Sequence, residues 1–474
     1  MAQFIGRSTE LNQLIRFTKK KTASFIVVKG RRRIGKSRLI TEFSKSFDQF
    51  YSFSGLPPVQ GVKRDQQLEE FSRQMSREFR TPHVKYNDWG DIFWALGDRL
   101  KSGKILLLFD EISWMGNKDE TFLGKIKNFW DMYIKNNDKI VFVICGSASS
   151  WIEKNILSST GFLGRISFVL TLEELSLQEA RDFWPKNISS FEIIKILSIT
   201  GGVPKYLEEI QTQLPAEENI KNLCFTKGGF LVNEFDHIFS DIFLRKSKFY
   251  KEIVRALVDG PKDQNAVCQS LKIGRQGRIS EYLYELELAG FVTKDYAWNL
   301  NNGQDLKIAR YRLSDNYVRF YLKYIDKNKT KIERNTYAPK SSTALSQWSG
   351  IIGLQFENLV LKNRVLVHRL LNIQSEDIIS ENPFFQQKTL RNQGCQIDYM
   401  IQTKFQVLYI CEIKFSKNKI GCDVIPEVQK KIDRLKRPKS FSCRPILIHV
   451  NGVTTELQEN DYFAAIIDFT DLLS

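Results

Sequence analysis

The sequence predicts an α/β protein in three parts, and three observations predict it. In the first half, short apolar runs rich in β-formers alternate with amphipathic helical stretches. Between residues 246 and 325, three helical patterns precede two strand-like runs around a polar turn. From residue 350 onward, a helix leads into strands and one strongly basic helix. A length of 474 residues accords with about three domains.

In chain order, Thr22–Lys29, Ile105–Asp110 and Ile140–Cys145 are continuous apolar runs and read as buried parallel strands. Amphipathic Ser37–Phe47 and Gln67–Phe79 lie between them. From about Leu172 to Phe239 the pattern turns helical, over Ser176–Phe183, Phe191–Ile199 and Pro204–Gln213. Next come helices over Phe249–Val258, Gln264–Leu271 and Arg275–Ala289. Strands over Phe291–Lys294 and Ile308–Leu313 then flank a polar hairpin, Asn299–Asp305. Three helices and a hairpin make a winged helix-turn-helix. The polar, basic stretch 326–349 reads as a linker. The last part opens with helix Ile351–Leu361, continues through strands over Gln396–Ile401 and Val407–Phe415, and reaches helix Glu427–Lys436. The expected boundaries are 1–171, 172–245, 246–325, 326–349 and 350–474.

The composition, 42% hydrophobic and 26% charged, belongs to a soluble globular chain and excludes a disordered or fibrous one. No apolar run approaches the roughly 18–20 residues of a membrane helix. The N-terminus shows no basic segment followed by an apolar one, as a secretory signal would. Seven scattered cysteines without a C-x-x-C pair read as reduced thiols. A cytoplasmic location without membrane association follows as the expectation. The net charge is +16, and it clusters in residues 1–50, 301–350 and 401–450. Such clusters suit a polyanion, nucleic acid above all, or simply make a solvated basic surface. The four histidines are isolated and carry no metal-ligand spacing.

The segment Gly30-Arg31-Arg32-Arg33-Ile34-Gly35-Lys36-Ser37 fits G-x-x-x-x-G-K-[ST], with a strand before it and a helix after it. Glycines let backbone N–H groups curl around phosphate oxygens, and the helix N-terminus adds its dipole. Lys36 would reach the β- and γ-phosphates, and the Ser37 hydroxyl would bind Mg²⁺. The apolar run ending in Asp110-Glu111 supplies two carboxylates at the C-terminal end of a strand. Asp110 would hold Mg²⁺ through water, and Glu111 would orient and deprotonate the attacking water. Ser147, after the third strand, is placed to sense a γ-phosphate or to close a turn. Arg165 is either an arginine finger, acting across a subunit boundary in a homo-oligomer, or a surface arginine.

Together with Phe4-Ile5-Gly6-Arg7-Ser8-Thr9-Glu10-Leu11 and Gly201-Gly202-Val203-Pro204-Lys205-Tyr206-Leu207, these segments resemble the archaeal-type ATPases, P-loop NTPases near the AAA+ and STAND groups. The resemblance implies ATP as ligand and places Gly6, Arg7 and Pro204 on the adenine side. Read without it, Gly202-Val203-Pro204 is a turn between helices.

The second helix of the helix-turn-helix begins Arg275-Gln276-Gly277-Arg278, which suits phosphate or base-edge contact. Leu283, Leu286 and Leu288 would pack the module. Glu281, Glu285 and Glu287 on the same helix suit a protein-binding or structural module instead.

Near the C-terminus, Asp398 lies on one strand. Glu412 and Lys414, two residues apart on the next, point to the same face. Two carboxylates can hold Mg²⁺ or Mn²⁺, which polarises a phosphodiester, and a lysine can steady developing charge. Glu357 on the preceding helix could add a carboxylate. This D…E-x-K arrangement resembles the PD-(D/E)XK nuclease superfamily, in particular the nuclease-like domain that accompanies archaeal-type ATPases. The proline usual before the aspartate is replaced by Gln396-Ile397. The resemblance implies a restriction-endonuclease-like α/β fold whose basic helix, with Lys430, Lys431, Arg434, Lys436 and Arg437, flanks the site, and it assigns Gln429 a polar role there. The whole chain then reads as an ATP-binding and ATP-hydrolysing protein acting on DNA, with a metal-dependent nuclease domain at its C-terminus. The alternative is a nucleotide-controlled signalling switch whose winged helix and nuclease-like domain only bind partners.

Overall fold

Continuous apolar runs form the first sheet because both of its faces are covered. In the computed structural model, which describes residues 4–57, 62–116, 119–147, 149–243, 246–274, 277–337, 339–390 and 393–473, β1 (Ser24–Lys29), β2 (Gln49–Ser54), β3 (Ile105–Asp110), β4 (Val141–Gly146) and β5 (Phe168–Thr171) line up in the order β2-β3-β4-β1-β5. Every pairing in this sheet is parallel. The interior residues of β1, β3 and β4 are buried, with one apolar cluster on each face. β2 and β5 carry polar or exposed positions and flank the three apolar strands; the sequence patterning did not single them out. Because the strands run parallel, the C-terminal ends of β1, β3 and β4 open on the same side, where Gly30, Asp110 and Ser147 lie.

The chain separates into two compact units. The first comprises Met1–Glu174, Asp236–Tyr250 and Leu288–Gly290, and the second comprises Leu175–Phe235, Lys251–Glu287 and Phe291–Ser474.

In the second unit a mixed sheet contains β8 (Ile378–Gln386), β9 (Cys395–Thr403), β10 (Val407–Lys414), β11 (Ser442–His449) and β12 (Ala465–Asp468), in the order β12-β11-β10-β9-β8. β8, β9 and β10 are antiparallel neighbours, whereas β10, β11 and β12 run parallel. Helix Val424–Arg434 makes the crossover from β10 to β11 and buries Val428 and Ile432 against one face. The other face shares a core with Phe356 and Leu359 of helix Trp348–Lys362 and with Ile193, Ile194 and Leu197 of helix Ser190–Thr200.

Between these elements lie helices Gln264–Ser270 and Gly277–Leu288 and the antiparallel pair β6 (Val292–Trp298) and β7 (Asp305–Leu313). Lys262 bridges Tyr311 of β7 as a further short pairing. Residues 326–349, read above as a linker, carry helix Lys329–Glu333 and bury Ile332 and Leu345. The helix expected over Pro204–Gln213 ends at Leu207. Beyond it the Asn219 side chain takes over the backbone: it accepts from the Gln211 N–H at 2.8 Å and donates to the Gln211 and Leu214 carbonyls. Among the described residues, no helix is long and apolar enough to cross a membrane.

Candidate active sites

The first site lies in the first unit, on the loop between β1 and helix Lys36–Ser44. A Cβ on Gly30 would come within 2.4 Å of the Leu172 carbonyl oxygen, so only glycine lets the loop leave the strand here. Arg33 and Gly35 have φ of 72° and 89°, which turns the loop back into the helix. The Lys36 side chain is buried, and its ammonium donates to the carbonyls of Gly30 at 2.9 Å and Arg31 at 3.0 Å. Ser37 Oγ donates to Asp110 Oδ2 at 2.7 Å, joining the loop to the end of β3. Glu111, in the left-handed region at φ 51°, turns its carboxylate to Ser147. Ser147 Oγ lies 3.0 Å from Glu111 Oε2, and its backbone N–H donates to the same oxygen at 3.3 Å. Burial pushes the Glu111 carboxyl above its ordinary range; Lys36 opposes this and Asp110 adds to it.

Two neighbours hold this loop. Arg7 is buried, follows Gly6 with both residues at positive φ, and pairs with Glu10 at 2.8 Å. Its guanidinium also donates to the carbonyls of Ile34, inside the loop, and Glu173. Lys29, the last residue of β1, donates to Glu153 at 2.6 Å, a link the sequence gave no sign of. Arg165 makes a two-pronged pair with Asp131, at 3.0 and 2.8 Å. Hydrogen bonding to that guanidinium holds the Asp131 carboxyl at about 2. Pro204 opens its short helix in the second unit.

The second site lies in the second unit, where β9 and β10 put Asp398 and Glu412 side by side. Asp398 Oδ2 accepts the Ile413 N–H at 3.0 Å. The other Asp398 oxygen and Glu412 Oε2 both face Lys431 Nζ, at 3.2 and 2.5 Å. Lys414 is divided between Glu412 at 3.1 Å and Glu427 at 2.7 Å. Burial disfavours the Lys431 charge, but Asp398 and Glu412 outweigh burial and raise its pKa. Burial and then Asp398 raise Glu412, against Lys431 and Lys414. Glu357 is pushed up to about 8, first by burial and then by Asp398, so it belongs to the same electrostatic cluster. Gln429, expected near the site, instead donates to Asp433 at 2.7 Å and accepts from Tyr462 at 3.0 Å.

Among the described residues no three His, Cys, Asp or Glu side chains gather as a metal-ligand group, so Glu357, Asp398 and Glu412 do not close into one. The pair Asp398–Glu412 nevertheless defines one cation position, because two carboxylates converge on a single ammonium. An oxygen donor set of that kind fits a hard divalent ion, which needs only one or two carboxylates. At the first site the Ser37 hydroxyl and Asp110 carboxylate form a similar oxygen pair beside Lys36.

The β6–β7 hairpin lies against the C-terminal sheet within the second unit. Trp298 Nε1 donates to Gln402 at 2.7 Å, and its ring meets that of Phe384 edge-on at 5.0 Å. Arg312 of β7 is buried in a two-pronged pair with Asp295 and also donates to Asn358, next to Glu357. On helix Gly277–Leu288, Leu283 and Leu286 are buried, Leu288 is half-buried and Arg278 is exposed. Arg275 and Gln276 lie outside the described residues.

Residues 4–210 match the family described as an ATPase domain predominantly from Archaea, which supports ATP binding and hydrolysis by this part of the chain. The chain is 26% identical over 362 residues to the uncharacterized protein MJECL04 of Methanocaldococcus jannaschii, covering 75% of this chain and 76% of that one. It is similar in structure to the Walker-type ATPase paby2304 of Pyrococcus abyssi, with a TM-score of 0.47 and 15% identity over 67% of this chain and 96% of that one. It is also similar to the ORC2 protein of Aeropyrum pernix, with a TM-score of 0.43 and 14% identity over 70% and 96%.

Proposed function

We propose that the chain is an ATPase that acts on DNA and cuts it at a metal-dependent centre in its C-terminal part. The observation that carries the DNA-cutting half is the convergence of Asp398 and Glu412 on one cation position, with Lys414 beside Glu412. The order of the C-terminal elements supports it: a helix, three antiparallel strands, a crossover helix and a parallel strand. A divalent ion bound there would polarise a phosphodiester and lower the pKa of water. Asp398 and Glu412 would hold it, Lys414 would steady charge on phosphate oxygens, and the exposed Lys430, Arg434 and Lys436 would meet the backbone of the nucleic acid.

At the first site, Lys36 exchanges its bonds to the Gly30 and Arg31 carbonyls for phosphate oxygens. Ser37 directly and Asp110 through water would hold Mg²⁺, and Glu111 would take the proton of the attacking water. Arg7 steadies the loop through Ile34, and Arg165 serves a neighbouring subunit if it leaves Asp131. The helices 264–270 and 277–288 with the β6–β7 hairpin form the winged helix, which presents Arg278 to DNA.

Cleavage of linear and supercoiled DNA with Mg²⁺ or Mn²⁺, with and without ATP, tests this reading. Cutting is expected in the wild type and absent in Glu412→Ala. Persistent ATP hydrolysis with no DNA binding or cutting would refute it. One observation favours the second reading, a nucleotide-controlled switch: the hairpin that would be the wing is engaged by Gln402 and Phe384. A change of oligomeric state on ATP binding, without affinity for DNA, would support it.

A further inference from the structure

Of the basic residues in and just after helix Val424–Arg434, Lys430, Arg434, Lys436 and Arg437 are exposed, whereas Lys431 is half-buried. Its neighbour Ile432 is packed in the apolar cluster under the sheet, which fixes the helix against β9 and β10. The ammonium ends between the two carboxylates, 3.2 Å from Asp398 and 2.5 Å from Glu412. Lys414 does not bridge the pair, because Glu427 shares it with Glu412. Without a cation between them, these two carboxylates on adjacent strands would repel. With one, each accepts a charge-assisted hydrogen bond.

We propose that Lys431 is an internal counter-ion that competes with a divalent cation for the Asp398–Glu412 pair. Metal then enters only when this side chain swings out. A four-carbon stem with a compact charge permits such a swing, and the Lys431 side chain retains 26% exposure, which gives it a way out. The proposal rests on reading the pair as a metal site.

The test is Mn²⁺ binding by the full-length, nucleotide-free protein, followed by electron paramagnetic resonance of unbound Mn²⁺. Wild type is compared with Lys431→Met, Lys431→Arg, Glu412→Gln and the double variant Lys431→Met/Glu412→Gln. Lys431→Met is expected to take up a Glu412-dependent Mn²⁺ at least about tenfold more tightly than wild type, since one unit of competing charge has gone. The double variant loses that ion, and Lys431→Arg behaves as wild type. Thermal unfolding gives a second readout should Lys431→Met be weakly folded: added Mn²⁺ raises its Tm more than that of wild type. Equal Mn²⁺ affinity in wild type and Lys431→Met, lost in both with Glu412→Gln, overturns the counter-ion and leaves the metal site standing. No Glu412-dependent uptake in either protein overturns both.

Discussion

At Asp110 and Glu111 the carboxylates meet hydroxyls, whereas at Asp398 and Glu412 they meet an ammonium. Both sites hold an aspartate and a glutamate, at the end of β3 in the first and within β9 and β10 in the second, and both have a lysine within reach. In the first, Lys36 is turned to backbone carbonyls, and Ser37 and Ser147 take the carboxylates. Serines satisfy hydrogen bonds but add no charge, and Lys36 offsets Glu111 only through space, so negative charge is left for an ion or a proton to balance. In the second, Lys431 bridges both carboxylates and, with Lys414 beside Glu412, offsets their charge from inside the protein. A count of carboxylates therefore does not say whether a site calls for an outside cation; the charge of the third partner does.

The largest effect expected separates the lysines. Lys36→Ala should lower ATP turnover by at least about 100-fold, in the range for removing a charge stabiliser, measured by phosphate release. Glu111→Gln should lower turnover by about 10²- to 10⁴-fold while a fluorescent ATP analogue still binds. Turnover within a few-fold of wild type in Lys36→Ala would break the equivalence of this loop with a phosphate cradle.

Next in size is stability. Glu412→Ala leaves Lys431 with one carboxylate and should cost roughly 1–3 kcal/mol, as for a partly buried charge that loses a partner. Asp110→Asn keeps a hydrogen bond to Ser37 and should cost under about 1 kcal/mol. Urea unfolding of both variants would sharpen the contrast, and equal losses would erase it.

The pH dependence follows from Glu357, whose carboxyl is raised from 4.5 to about 8, first by burial and then by Asp398. Its folded form binds a proton more tightly than its unfolded form. Its contribution is therefore full below the unfolded value and is lost as pH rises through the window from 4.5 to about 8. Glu412, raised in the same direction, adds to that decline. Relative to Glu357→Gln, wild type should lose stability steadily across the window, read from denaturant unfolding at several pH values. A constant difference would place Glu357 outside the cluster.

The smallest effect concerns Ser147. Ser147→Ala releases Glu111 from a hydrogen bond worth about 1 kcal/mol and should change ATP turnover by about two- to tenfold, against the far larger loss for Glu111→Gln. Steady-state kinetics distinguishes the two, and a Ser147→Ala loss as deep as that of Glu111→Gln would give the serine a more direct part.

Much of this was legible because the residues concerned are local in sequence. The loop from Gly30 to Ser37 carries its own glycines, lysine and serine. The run ending at Asp110-Glu111 announces a buried strand with polar groups at its end. Glu412 and Lys414 share a strand, and Asp398 is one hairpin away. Lys431 was legible only as one basic residue in a row of them. Nothing in that row says which side chain turns inward, since the choice depends on where the crossover helix lies against β9 and β10. The docking of Trp298 on Gln402 and Phe384 was likewise hidden, because partners about a hundred residues apart leave no periodic trace.

By itself, then, the sequence determined the parallel apolar strands, the phosphate loop and the types of side chain at both sites, all of which follow from short-range patterning and backbone rules. The tertiary structure decided which charges meet. It seated Glu111 on Ser147, tied Lys29 to Glu153 and placed Lys431 between Asp398 and Glu412. The physical reason is that electrostatic pairing acts over a few ångströms of space, which only the packing of sheets and helices brings together.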